Sequence, residues 1–281
     1  GGWRERRGDV ERAATGLASR LAPTIRLGDG PAPADAAILD SAVSALEAGF
    51  DAANGGWGAP MKFPQPMALE FLLRRAAAGD ARALPLARRT LDRMAAGGIH
   101  DQLGGGFSRY ATEPTWLVPH FEKMLSDNGQ LARVYLHAWQ LTREPEYLAV
   151  ARSTLDFVAR EMTLPDGVFA ASLDADTGGE EGGTYTWRAG EVAETLEAAG
   201  RGADVELFAA AFDVTRGGNW EGRTILRRVA SDAGLAERTG LPEAEVRDRL
   251  AEARATLLAQ RDRRPQPARD DKALAGWNGL M

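Results

Sequence analysis

Apolar residues recur at helical spacing along most of the chain. Ile38, Leu39, Val43, Leu46 and Phe50 predict a helix over about 36–52, with Asp35 as its N-cap. A shorter helix is expected over 9–21, stopped by the linker GDGPAPAD at 28–35. NGGWG (54–58) ends the second helix. In KFPQP (62–66) each proline pushes its predecessor out of the α region, which makes the segment rigid and extended. Helices follow over about 67–78 and 83–96, joined at Gly79-Asp80. After a long loop (97–120), Leu125, Leu131, Val134, Tyr135, Ala138 and Leu141 predict a helix over about 121–141. Tyr147, Leu148, Leu155, Phe157 and Val158 predict another over about 145–162, and Pro145 suits its first turn. The pattern then changes. Residues 167–187 fit two short strands around an acidic, glycine-rich turn. Short helices are expected near 189–199 and 203–212, a strand within 217–226, and a helix over about 242–262 that ends before Pro265. The last residues begin a further element.

These elements make a mainly α chain of helical hairpins with small β-hairpin insertions. Glycine pairs at 55–56, 97–98, 104–106, 178–179 and 217–218 recur roughly every 40–50 residues. DNGQLARVY (127–135) is echoed by WNGLM (277–281). A repeated hairpin explains both. A toroid of such hairpins puts inner helices around a central pit with loops at one mouth. A right-handed α-solenoid is the alternative, and the β insertions and long loops favour the toroid. Residues 1–34 read as a linker or the end of a preceding domain, and 35–281 as part of the toroid. The chain opens on Gly1 and closes on what reads as the start of an element, so both ends are expected to be cut.

Composition narrows the chemistry. A chain of 281 residues with 44% hydrophobic and 26% charged positions can bury a core unaided. A net charge of −6 argues against nucleic acid or an anionic membrane as partner. No apolar run approaches a membrane span and no signal pattern opens the chain, so a cytoplasmic location is expected. Cysteine is absent, which excludes thiol chemistry within these residues. Of the 34 basic residues only three are lysine (Lys62, Lys123, Lys272), leaving 31 arginines. Where arginine replaces lysine so freely, the surviving lysines are candidates for places that need a compact ammonium, Lys62 and Lys123 ahead of Lys272, with chance survival as the alternative.

The richest segment is 98–130. It holds His100, Asp101, Arg109, Tyr110, Trp116, His120, Glu122, Lys123, Asp127 and Asn128. Aromatics, charges and imidazoles in one long loop suit a polar-substrate pocket, where rings stack on a sugar or base and charges orient hydroxyls. His100 beside Asp101 is a candidate general base, or else a loop histidine capping a helix end. His120, with Glu122 and Lys123 close behind, is the stronger candidate, although Glu122 and Lys123 are also readable as an ion pair. His137 sits in an apolar helix and reads as packed. Phe107 and Trp116 read as pocket wall, and Lys62 as a further ligand contact.

A second cluster, SLDADTGGEEGGTYTW (172–187), brings Asp174, Asp176, Glu180, Glu181 and Trp187 together. An EF-hand alignment from Asp174 puts Gly178 at position 5 and Tyr185 at position 12, where glutamate is required, so that reading fails. A looser metal site, paired carboxylates for glycoside chemistry, or a hairpin tip donating substrate contacts remain, the metal site the least favoured. No P-loop, GxGxxG, HExxH or GxSxG occurs. Neither a metal nor a cofactor is expected.

Together KFPQP, GGIHDQLGGGFSRYATEPTWLVPHFEKMLSDNGQL, SLDADTGGEEGGTYTW and DDKALAGWNGLM resemble the thioredoxin-fused helical-toroid family that includes the spermatogenesis-associated thioredoxin-like proteins. The resemblance runs from about residue 35 to the end. It implies an (α/α)6 barrel similar to those of N-acylglucosamine 2-epimerase, cellobiose 2-epimerase and six-hairpin glycosidases. It also implies an upstream thioredoxin-like domain as partner. The ligand it implies is a small polar molecule such as a sugar. In an epimerase-like reading His120 or His100 takes the proton beside an opened sugar's carbonyl, Arg109 and Lys123 polarise the oxygen, and Trp116 and Tyr110 stack on the ring. Asp127, Asn128, Trp277 and Asn278 join the ligand contacts. The alternative is a non-catalytic module that binds a sugar, peptide or client for the thioredoxin domain.

Overall fold

The computed structural model describes residues 6–25 and 36–281. The expected linker at 28–35 and the Asp35 cap lie outside them. Internal packing divides the chain into two units, residues 1–44 and 45–281. The first contains the helix α1 (Arg7–Ile25). Helix α2 (Ala36–Ala48) ends four residues earlier than its periodicity predicts. No described helix is long and apolar enough to cross a membrane.

The second unit is built on antiparallel hairpins. Helices α3 (Pro66–Ala77) and α4 (Ala83–Ala96) form one, and α5 (Leu125–Thr142) and α6 (Pro145–Phe157) the next. A π-type turn, Val158–Met162, extends α6 to the end that the sequence predicts. Helix α5 packs against α3 on one side and α11 (Ala275–Leu280) on the other, so the first helices of successive hairpins stand side by side. Leu69, Leu72, Leu91, Leu131, Tyr135 and Tyr147 fill the core of the two hairpins. A second core joins α7 (Ala189–Ala198), α8 (Val205–Phe212), α9 (Asp232–Thr239) and α10 (Glu243–Arg261) around Trp187, Phe208, Phe212 and Leu250. This is the mainly α, hairpin-built fold expected, and no closed ring forms among the described residues.

Three differences from the expected elements are informative. The helix predicted from 121 starts at Leu125, because residues 119–124 find partners far away in sequence. Strand β1 (Tyr110–Ala111) pairs with β2 (Pro119–His120), and β3 (Lys123–Met124) with β4 (Ser172–Leu173), which pairs in turn with β7 (Arg269–Asp270). Segment 217–226 holds only isolated pairings, Trp220↔Arg223 and Trp187↔Thr224, and no strand. Helix α9 has no expected counterpart, although Ser231 caps its Gly234 N–H and Gly240 takes the left-handed conformation at its end. The acidic turn is a tight hairpin, β5 (Asp176–Thr177) with β6 (Glu180–Glu181) around Gly178-Gly179, while the expected strand over GGTYTW keeps only the isolated pairing of Trp187.

The connections fix where the chemistry lies. The links within the hairpins, α3–α4 and α5–α6, are short. The long ones precede α3, α5, α7, α9 and α11, and they carry the glycine-rich loops and their polar residues.

Candidate functional site

Two of these loops are copies of one device. In the first, the Asp51 carboxylate accepts the N–H groups of Ala53 and Asn54, the Asp51 N–H donates to Gly56 O, and the Gly55 N–H donates to Asp51 O. In the second, fifty residues on, Asp101 accepts the N–H groups of Leu103 and Gly104, and the same backbone bonds join it to Gly106 and Gly105. Lys62 closes the first loop, with Nζ 2.5 Å from Asp51 and 2.6 Å from Gly55 O. Lys123 closes the second, 2.8 Å from Asp101 and 3.1 Å from Gly105 O. Each ammonium also lies over a ring, Trp116 at 5.5 Å for Lys62 and Phe157 at 4.3 Å for Lys123. The second glycine of each pair meets the same ring: a Cβ at Gly56 would lie 2.6 Å from Trp116, and one at Gly106 2.4 Å from Phe157. Both take positive φ, so only glycine fits. The two lysines are therefore retained for a geometric reason. Three short donors on a thin stem fit where a guanidinium fork does not.

The second loop carries more charge. Arg261, buried at the end of α10, binds both oxygens of Asp101 at 2.8 Å. Burial opposes ionisation of Asp101, yet Arg261 and Lys123 together hold its pKa well below the carboxylate range. Burial lowers the Lys123 pKa against the pull of Asp101. His100 is neutral, because burial, reinforced by Arg254, brings its pKa down to about 4. Asp101 does not orient it: His100 Nε2 lies 3.4 Å from Ser153 Oγ and its Nδ1 has no partner.

On the outer side of this framework lies a row of rings. Lys62 pairs with Ala111, and Tyr110 with His120, so three short strands lie side by side. Strand alternation sends Lys62, Ala111 and Pro119 inward and Phe63, Tyr110 and His120 outward. Phe63 stacks on Tyr110 at 4.8 Å between ring centroids, and Tyr110 on His120 at 5.0 Å. Phe63 ends the row and stays 45% exposed. At the other end His120 Nδ1 lies 2.8 Å from Glu181, delivered by the acidic hairpin. Since a carboxylate only accepts, that bond needs the proton on Nδ1, and Nε2 is an acceptor in the neutral ring. Arg109 bonds Glu122 at 3.0 Å beside the row. Asp127, in the first turn of α5, is half-buried beside both. Burial raises its pKa to about 6; Arg109 opposes the rise and Glu122 adds to it.

The remaining expected residues take other places. Phe107 and Trp116 are wholly buried, Phe107 stacked on Tyr135 and Trp116 donating Nε1 to Asn54 O. Trp187 is core, under the Arg264 guanidinium at 3.8 Å. Asn128 bonds both the N–H and the C=O of Phe107, and Asn278 does the same to Phe169, which gives the Asn-Gly echo its physical basis. Trp277 packs on the Leu125 cluster. Asp174 accepts the Ala175 N–H, and Asp176 is exposed opposite Glu181. His137 is half-buried and bonded to Glu70 at 2.8 Å. Lys272 is exposed and pairs locally with Asp270. Among the described residues no group of three or more His, Cys, Asp or Glu could hold a metal.

Sequence reasoning passed over Asp51, Phe63 and Arg261. The repeated spacing of aspartate, two glycines and an aromatic could have found Asp51. Nothing local marks Arg261, which is 160 residues from its partner.

The architecture defines a class: a mainly α protein of helical hairpins whose long connections carry its polar loops. Within it, the chain is homologous to spermatogenesis-associated protein 20. It is 36% identical to the human protein and 35% to the mouse protein, over 96% of this chain and 38% of each relative. It is 28% identical to a Caenorhabditis elegans protein over 99% of this chain and 41% of that one. The chain thus spans about two-fifths of the length of these relatives. No protein-family model matches it. Solved structures similar to it include a sugar epimerase from a ruminal bacterium (11% identical, TM-score 0.44, 77% of this chain and 53% of that one). Cellobiose 2-epimerase from Spirochaeta thermophila is another (13% identical, TM-score 0.42, 86% of this chain and 76% of that one).

Proposed function

We propose that residues 45–281 bind a saccharide across the Phe63–Tyr110–His120 row. The observation that carries this reading is the row itself, an exposed apolar ring flanked by groups that bond hydroxyls. A pyranose has a C–H face and a polar rim. Phe63 suits the face, while Arg109, Asp127 and the Nε2 of His120 suit the rim. His120, held by Glu181, is also the group best placed to take a proton from the ligand. The reading is therefore a carbohydrate-binding site with acid–base capability, of epimerase, isomerase or glycosidase type.

A panel of mono- and disaccharides titrated against the chain, followed by amide chemical shifts, tests it. Binding in the micromolar to millimolar range is expected, weakened about tenfold by Phe63→Ala and by His120→Ala. Deuterium incorporation at the ligand's C2 in heavy water reads turnover. If no sugar binds at millimolar concentration, or both variants bind unchanged, the reading fails.

A further inference from the structure

The row of rings is a stack, and a stack uses up the faces between its members. Lys62 pairs with Ala111 and Tyr110 with His120, so the register sets Phe63, Tyr110 and His120 opposite one another on three adjacent strands. Their centroid spacings of 4.8 and 5.0 Å match the spacing of strands in a sheet. The stack therefore runs straight across the three strands, and Phe63 stands about 10 Å from His120. Tyr110 has a ring on each side. Phe63 keeps one face, since Tyr110 is its only ring contact among the described residues, and it is exposed. Strand alternation puts Met61 on the same side as Phe63, and Met61 is exposed too, so this end of the stack is apolar. The other end is polar, with His120 bonded to Glu181. Among the described residues neither the Nε2 of His120 nor the Tyr110 hydroxyl has a hydrogen-bond partner.

We propose that the ligand is a saccharide of at least two units. One unit lays its C–H face on Phe63, the next reaches the Nε2 of His120, and the Tyr110 hydroxyl bonds the oxygens between them. This rests on the saccharide reading of the row. The length of the stack sets the requirement. A pyranose is about as wide as one aromatic ring, and the stack is three rings long. A single unit on the free face of Phe63 lies past the end of the stack, with Phe63 and Tyr110 between it and His120. A single unit bonded to His120 leaves Phe63 uncovered. Two joined units reach both. Apolar contact at Phe63 is non-directional and anchors the ligand. Hydrogen bonds at Tyr110 and His120 are directional, and the imidazole can take a proton, so the unit at His120 is the one that is oriented for chemistry. The Tyr110 hydroxyl both donates and accepts, which suits sugar hydroxyls and a linking oxygen alike.

The experiment compares glucose, mannose and N-acetylglucosamine with the 1,4-linked disaccharide of each, titrated by NMR against the wild type, Phe63→Ala, Phe63→Trp and Tyr110→Phe. For the sugar that binds, the disaccharide is expected to bind about tenfold tighter than the monosaccharide. Phe63→Ala removes that tenfold and costs the monosaccharide no more than about twofold, because the His120 end is intact. Phe63→Trp keeps a stacking face and restores the preference. Tyr110→Phe keeps the stack and weakens the disaccharide about threefold. Magnetisation transferred from the Phe63 ring reaches one unit of the disaccharide and not the other. A monosaccharide that binds as tightly as its disaccharide, a preference that survives Phe63→Ala, or a Phe63→Ala loss shared equally by both ligands overturns the proposal and leaves the saccharide reading standing. If no sugar of either length binds at millimolar concentration, the saccharide reading fails and the proposal falls with it.

Discussion

The Asp51 and Asp101 loops share backbone, glycines, lysine and ring, and differ in what has been added. Phe50 precedes Asp51 and packs edge-on against Trp57; His100 precedes Asp101 and packs against Phe107, at the same separation along the chain. One cation closes the first loop. The second takes Lys123 and Arg261, and its aspartate is 8% exposed against 27% for Asp51. The first is a structural clasp that holds Phe63 at its rim. The second is the same clasp drawn inward and tied to α10, so the Tyr110–His120 hairpin is anchored to the second core as well as the first. The two loops share one geometry, and the added contact with Arg261 makes the second the hub.

The largest effect that could break this comparison is at the carboxylates. Asp101→Ala leaves two buried cations unpaired and is expected to cost about 4 kcal/mol in urea unfolding. Asp51→Ala leaves one and should cost about half as much. Equal costs would mean that Arg261 adds nothing. Next is acid stability. The folded state holds His100 neutral down to about pH 4, while the unfolded chain protonates it near 6.5. The unfolded state then binds more protons in that window. Stability should fall as pH drops from 6.5 to 4, by about 3 kcal/mol. His100→Phe copies the first loop and should flatten that limb. Smaller again, Lys62→Arg and Lys123→Arg should each cost about 2 kcal/mol by overfilling a closed space, with the charge unchanged. A tolerated Lys123→Arg would show that the lysine survives by chance.

The smallest prediction contrasts clasped with unclasped carboxylates. The folded-state pKa of Asp127 is raised above its unfolded value, so its contribution favours folding below about pH 4 and is lost as pH rises through 6. Asp127→Asn should therefore stabilise the protein by about 1 kcal/mol at pH 8 and by nothing at pH 4, read from thermal unfolding at the two pH values.

Much of this was legible in the residues. The rarity of lysine marked Lys62 and Lys123, and both are buried, doubly bonded ammonium groups. The Asn-Gly echo marked Asn128 and Asn278, although their role is to hold Phe107 and Phe169. Burial was harder to read. Phe107, Trp116 and Trp187 have the composition of a ligand platform but lie wholly in the core, while Phe63, between a lysine and a proline, is the exposed ring. A period-two strand assigns in and out only once its partners are known, and the partners of Lys62 and Tyr110 lie far along the chain.

Helices α3 to α8 and α10, the hairpin links and the glycine turns follow from periodicity and local conformational preference, because those energies act within a few residues. The clasp of Asp101 by Arg261, the row of rings across three strands and the reach of Glu181 to His120 depend on distances between residues up to 160 positions apart. Charge, burial and hydrogen bonding at those positions are set by what packing brings near, and no local pattern records it.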